Sequence, residues 1–327
     1  MVARATMIRA GFALCALLAL PIAATAQGYP NRAVKIIVPF PPGGTADAMP
    51  RIVADWLTRK WGHPVIIENR AGAGGNVGAE AAFRSDPDGY TLFASPPPPL
   101  VINQNLYAKL PFEPAQFIPL AVMGKVPNSL LTNSPRLANA KTVADVIAYA
   151  KANPGQLNCA TQGVGTTAHL TSELFQMMAG VKFQNVHYRG SAPAMQDLVA
   201  GTADIAFDNI GASMALVKGG KLRLLAVATE KRSAALPDVP TIAETVPGFV
   251  VVTWFAIVAP PKTPQPIVSK LNADINEALR DAEVRKKLEN LSAEVVGGSL
   301  AENAAFFKSE SELWQKVIRD ADVKLPQ

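Results

Sequence analysis

The chain has 327 residues, 49% of them apolar and 17% charged. That composition excludes intrinsic disorder, and the length suffices for two domains with a core each. Without Arg4 and Arg9, which fall in a leader described next, the 31 basic side chains become 29 against 26 acidic ones, a net charge of +3; this is too mild and too dispersed to argue for nucleic acid.

Residues 1–26 read as a cleavable signal peptide. Arg4 and Arg9 precede an uncharged apolar stretch over 10–24, and Ala24-Thr25-Ala26 fits a small-x-small cleavage site. The stretch is shorter than the ~20 residues of a membrane-spanning helix, and Leu14 before Cys15 does not suit a lipoprotein anchor. Past the leader, Cys159 is the one remaining cysteine, so no intramolecular disulfide can form. An exported chain without disulfides fits a bacterial periplasm better than an extracellular scaffold.

The first strand is Val34-Lys35-Ile36-Ile37-Val38, followed at once by Pro39-Phe40-Pro41-Pro42-Gly43-Gly44-Thr45-Ala46-Asp47 and a helix over 46–60. A proline- and glycine-stiffened turn into a helix points consecutive N–H groups, and the positive end of the helix dipole, at one spot. That is anion-site chemistry, most simply for a carboxylate, although tight turn chemistry alone also uses Pro and Gly. Asp47 cannot attract an anion and is expected to fix the loop by accepting from its backbone.

Strands over 65–68 and 90–94 enclose a short helix over 78–84, with the glycine-rich loop 71–75 and the proline run 96–99 beside the strand ends. A second series follows: a capped helix from Thr142 to Lys151, a strand over 157–161, the loop 162–165, a helix over 166–179, a strand over 186–189, a helix over 192–200 and strands over 203–207 and 222–229. Thr241 with Glu244 marks another cap, 249–259 a long apolar strand, and the last third is helical over 264–280, 282–290 and from Ser299 to Asp320. A helical end without its own sheet would cover the first one, so the chain should cross between lobes near 120–130 and 245–258. A cleft between such lobes is a preferred place for small ligands.

Gly72-Ala73-Gly74-Gly75-Asn76-Val77-Gly78 misses the dinucleotide spacing, because Val77 stands where the third glycine belongs. Gly163-Val164-Gly165-Thr166-Thr167-Ala168-His169 is the second-lobe counterpart of the opening turn. Thr166 and Thr167 cap the helix and can also offer donors to a ligand. His169 reads as a structural histidine, since His63, His169 and His187 have no metal-ligand spacing. Phe40, Tyr188 and Trp254 are either pocket walls or core. Ser95 and Asn209 close strands where open α/β sheets place ligands, and Asp208 adjoins them. Arg189 pairs with a ligand carboxylate or with a protein acid; both readings stand. No nucleophile elbow or Ser-His-Asp order is present.

These residues, in this order, resemble the tripartite tricarboxylate transporter solute receptors, the Bug family. The marks are residues 38–44 with Asp47, Glu68-Asn69-Arg70-Ala71-Gly72-Ala73-Gly74-Gly75, Gly163-Val164-Gly165 with His169, Tyr188-Arg189-Gly190, Leu236-Pro237-Asp238-Val239-Pro240-Thr241 and Trp254 with residues 259–264. The resemblance implies an α/β fold of the two-lobed, type II-like periplasmic binding protein (Venus-flytrap) kind, each lobe a mainly parallel sheet flanked by helices. Residues 27–124 and 254–327 would form the first lobe and 125–253 the second. It further implies a monomeric, non-enzymatic receptor without cofactor or metal. Such a receptor closes on a small organic mono- or dicarboxylate and hands it to membrane permease subunits. Carried over, the carboxylate site is Phe40, Gly43, Gly44 and Thr45 facing Gly165, Thr166 and Thr167, with Ser95 and Asn209 beside it and Asp47, His169, Tyr188 and Asp208 in support. Thr166 stands where a serine is usual, and Val186-His187-Tyr188 replaces the commoner Val-Pro-Tyr. A ligand-presenting sensor would use the same closure. An enzyme acting on an organic acid would use His169 and Asp208 as acid and base.

Overall fold

The computed structural model of the chain describes residues 28–233 and 236–320; the leader expected over 1–26 lies outside them. The apolar run Val34–Val38 forms β1, parallel to β2 (Val65–Asn69) on one side and β3 (Thr91–Ser95) on the other. Parallel neighbours need helical crossovers, supplied by α1 (Thr45–Trp61) and α2 (Asn76–Phe83). The sheet continues through β4 (Ile118–Thr132), whose first half pairs antiparallel with β9 (Val252–Ala259) and β10 (Glu294–Gly297). β9 also pairs antiparallel with β3.

The second half of β4, from Asn128, pairs instead with β7 (Ile205–Asn209) and β8 (Arg223–Val227). There β5 (Asn158–Thr161) lies parallel between β7 and β6 (Gln184–His187). The strand order is β2-β1-β3-β9-β4-β7-β5-β6, so the 15-residue β4 belongs to both sheets of a two-domain α/β fold. In the second domain α3 (Val143–Ala152), α4 (Thr167–Ala179), α5 (Ser191–Ala200) and α6 (Ile210–Lys218) alternate with the strands.

The last helices, α7 (Gln265–Arg280), α8 (Ala282–Glu289) and α9 (Leu300–Asp320), return to the first domain. Trp61 Nε1 donates to Asp274 at 2.8 Å, and Trp254 Nε1 donates to Glu310 at 2.7 Å. One apolar cluster joins Met49, Val53 and Leu57 of α1 to Leu271, Ile275 and Leu279 of α7; each such buried side chain contributes about 1.5–3 kcal/mol. In the second domain the rings of Phe175, Phe207 and Phe249 pack at 5.4 and 5.7 Å.

Local signals account for several element ends. Thr142 with Asp145, and Ser299 with Glu302, form reciprocal caps at α3 and α9. Thr241 with Glu244 also forms such a box, but it opens only the short turn Ile242–Glu244, because Pro247 and Gly248 follow. The proline run leads into a wide π-type turn over Pro98–Ile102, its first two residues lacking N–H groups.

Candidate functional site

Strand ends and helix starts meet where the domains touch. After β1 the chain turns through Gly43, at φ 97°, into α1. The Asp47 carboxylate accepts from the Gly43 N–H at 3.3 Å, from Arg51 at 2.9 and 3.0 Å, and from the Asn69 amide at 2.8 Å. The same Asn69 amide donates to Phe40 O at 2.8 Å. Burial pushes the Asp47 carboxyl up, but the bonds from Arg51, Asn69 and Gly43 outweigh it and hold the group below its ordinary value. Asp47 therefore stays ionised as a brace under the turn.

The N–H groups of Gly44, Thr45 and Ala46 have no acceptor among the described residues, as expected for a first helical turn. The Thr45 hydroxyl, on a residue 2% exposed, also lacks a partner. Both features line a small inner chamber bounded by Phe40, Pro41 and Gly44–Ala46 from one domain and by Gln162, Gly190, Ser191 and Asn209 from the other. Pro96 and Phe255 close it. Its free volume of about 20 Å³ admits a group the size of one water or one carboxylate oxygen.

The second domain contributes chiefly through the start of α5. Gly190 precedes it at φ 109°, and a Cβ there would stand 3.2 Å from the Pro41 ring across the cleft. Only glycine meets both conditions. The N–H groups of Ser191 and Ala192 have no acceptor among the described residues, and Asn209 precedes the start of α6. Two helix N-termini, those of α1 and α5, thus meet at one chamber, each carrying roughly half a positive charge, and α6 reaches it only through its cap residue Asn209.

One buried carboxylate stands behind them. Asp208 accepts from the Ser191 hydroxyl, from the Gln162 amide, and from the Asn209 N–H at 2.7 Å. Complete burial pushes its pKa up to about 6 despite those three donors. Asp208 therefore orients Ser191 and Gln162 while titrating close to neutrality.

Other expected site residues lie around this chamber. Ser95 is buried one residue behind its wall and donates to Pro96 O at 2.9 Å. The Asn209 amide donates to Asn128 and Thr253, at 2.7 and 2.8 Å. Thr166 caps α4 and lines a larger outer chamber with Gly163 and Val164. Gly165 and Thr167 line neither chamber, because protein partners already engage them: the Gly165 N–H donates to His169 Nδ1 at 3.1 Å, and Thr167 Oγ1 meets Thr253 Oγ1 at 3.0 Å.

That bond leaves the His169 proton on Nε2, 3.5 Å from Glu173. The His169 bond holds Glu173 below its ordinary value. Tyr188 lines the outer chamber with its hydroxyl donated to Asp197 at 2.7 Å. Trp254 is core, packed on Phe306 and Phe307, and its neighbour Phe255 faces the chamber by strand alternation. Gln162, Gly190 and Ser191 line the chamber without being among the expected site residues, although Tyr188-Arg189-Gly190-Ser191 carries the same strand–glycine–hydroxyl–helix signal as the opening turn.

Among the described residues no cluster of His, Cys, Asp or Glu could hold a metal ion. Cys159 is buried, and burial pushes its thiol up to about 12, which leaves it inert.

A family model described as the tripartite tricarboxylate transporter family receptor matches residues 49–323. Protein BugT of Bordetella pertussis is 38% identical over 304 residues, covering 92% of this chain and 93% of its own. Among solved structures, R. palustris Rpa4515 with adipate superposes with a TM-score of 0.87 at 36% identity, over 90% of this chain and 99% of that one. MatC from Rhodopseudomonas palustris with bound malate gives 0.83 at 32% identity, over 89% and 100%.

Proposed function

The chain belongs to the tripartite tricarboxylate transporter receptor family, and from that premise we propose that it is a periplasmic receptor that closes on a small organic carboxylate and delivers it to the membrane subunits of such a transporter. The observation that carries this reading is the inner chamber. The free N–H groups of Gly44, Thr45 and Ser191, and the unpartnered Thr45 hydroxyl, surround a space that takes one carboxylate oxygen. Two similar structures carry an acid, adipate in one and malate in the other, which supports the same chemistry here.

Residues 27–124 and 254–327 act as one lobe and 125–253 as the other, hinged on the two extended crossings of β4 and β9. The change of partners along β4 between Pro127 and Asn128 supports that division. The leader over 1–26 is removed on export, and the mature protein acts as a monomer. It binds rather than transforms its ligand: Asp208 is spent on orienting donors, and the His169 Nδ1 on holding the second-lobe loop.

Thermal unfolding against a panel of mono-, di- and tricarboxylates, sugars and amines tests the reading. A cognate acid at 100 times its Kd adds about 2.7 kcal/mol of stability. A midpoint raised by a sugar or an amine and by no acid would contradict it.

A further inference from the structure

The inner and outer chambers share Phe40, Pro41, Gln162 and Gly190 and so form one continuous cleft. The inner part admits a carboxylate oxygen, and the outer part, about 560 Å³, must take the rest of the acid. Building on the carboxylate reading above, we propose that this receptor selects elongated dicarboxylates with an apolar middle, and that Arg189 is the residue that recognises the second carboxylate.

The walls argue for the apolar middle. Pro39, Phe40, Pro41, Tyr107 and Val164 present mainly carbon to the outer chamber, and a chain with several hydroxyls would lose more hydration there than it regains in hydrogen bonds. Of the three hydroxyls there, two are engaged elsewhere, and that of Tyr107, beside Gly74, is the one without a partner among the described residues. The Thr166 hydroxyl donates to Gly163 O at 2.7 Å, and the Tyr188 hydroxyl to Asp197.

The charge pattern argues for the second carboxylate. No acidic side chain lines the outer chamber, and Arg189 is its one cationic lining residue. The Arg189 guanidinium has no hydrogen-bond or ion-pair partner among the described residues, unlike Arg32, Arg51, Arg70 and Arg136. His187 does not share the task. Its Nδ1 lies 2.8 Å from the Thr161 hydroxyl, and partial burial, then the neighbouring His169 with its ring 4.6 Å away, push its pKa down to about 4, so it is neutral at pH 7. Arg189 is exposed at the rim, so its pairing with a ligand is partly screened by salt.

Isothermal titration of the purified protein with succinate, adipate and suberate, each beside butyrate, hexanoate or octanoate of the same length, tests the proposal. At the preferred length the diacid should bind about tenfold tighter than its monoacid, the scale of one charge-assisted hydrogen bond. That preference should shrink in 1 M salt. Arg189→Gln should abolish it while leaving the monoacids within about twofold, and Arg189→Lys should restore part of it. If the acids bind but the diacid-to-monoacid ratio is the same in the native protein and Arg189→Gln, the assignment of Arg189 is overturned and the receptor reading stands. If none of the six acids binds, the elongated-dicarboxylate claim fails, and the wider acid panel decides the receptor reading separately.

Discussion

The hydroxyl of Thr45 is buried without a protein partner, a condition that costs a folded protein about 1–3 kcal/mol and persists where a ligand relieves it. Thr45→Val keeps the shape and removes the group. Its unfolding free energy without ligand should be unchanged or raised by about 1 kcal/mol, while affinity for the cognate acid falls roughly tenfold, as titration calorimetry would read. Loss of stability with unaltered affinity would place the hydroxyl's role in the fold instead. Asp208 is the second informative residue. Burial raises its pKa from 3.8 to about 6, so the folded chain holds this proton where the unfolded chain has lost it. The stabilisation is complete below pH 3.8 and is lost as pH rises through 6, about 3 kcal/mol for about two units. Urea unfolding of the native protein and Asp208→Asn from pH 3.5 to 7.5 should show the native protein losing that amount relative to the variant. A difference independent of pH would contradict the shift.

At the scale of elements, the opening strand–turn–helix was legible because its chemistry is local: an apolar run, two pairs of Pro and Gly, and a hydroxyl at the helix start. The caps at Thr142 and Ser299 were legible for the same reason. Which second-domain helix start faces α1 was not, because α4, α5 and α6 all follow strand ends at one edge. The choice depends on how the domains meet. The structure brings Gly190 and Ser191 of α5 against Pro41 and Gly44, and leaves Thr167 bonded inward to Thr253. Gly44 is the position where this meeting is tightest for a side chain that its backbone would otherwise accept: φ is −94°, and a Cβ would lie 3.4 Å from that of Ser191. Gly44→Val should therefore fold with a normal circular dichroism spectrum and melting midpoint, yet show no midpoint rise with the acid that stabilises the native protein. A full ligand shift in Gly44→Val would mean the two helix starts do not close on the acid.

For the whole molecule, the division of β4 between two sheets puts the ligand chamber beside the crossing, so the two domains share one strand as well as the cleft. The C-terminal helices stiffen one side through Trp61, Asp274 and the α1–α7 core, which is consistent with the bending at the crossings proposed above. A receptor needs that combination of rigid bodies and a shared edge, because closure must be driven by contacts made only when both helix starts reach the same anion. The most direct measurement is a crystal structure of the protein with its tightest-binding acid. The account predicts a carboxylate oxygen within hydrogen-bond distance of the Gly44 or Thr45 N–H, with Ser191 contributing from the other lobe. An acid bound outside the cleft, or one that presents some other group to that chamber, would contradict it.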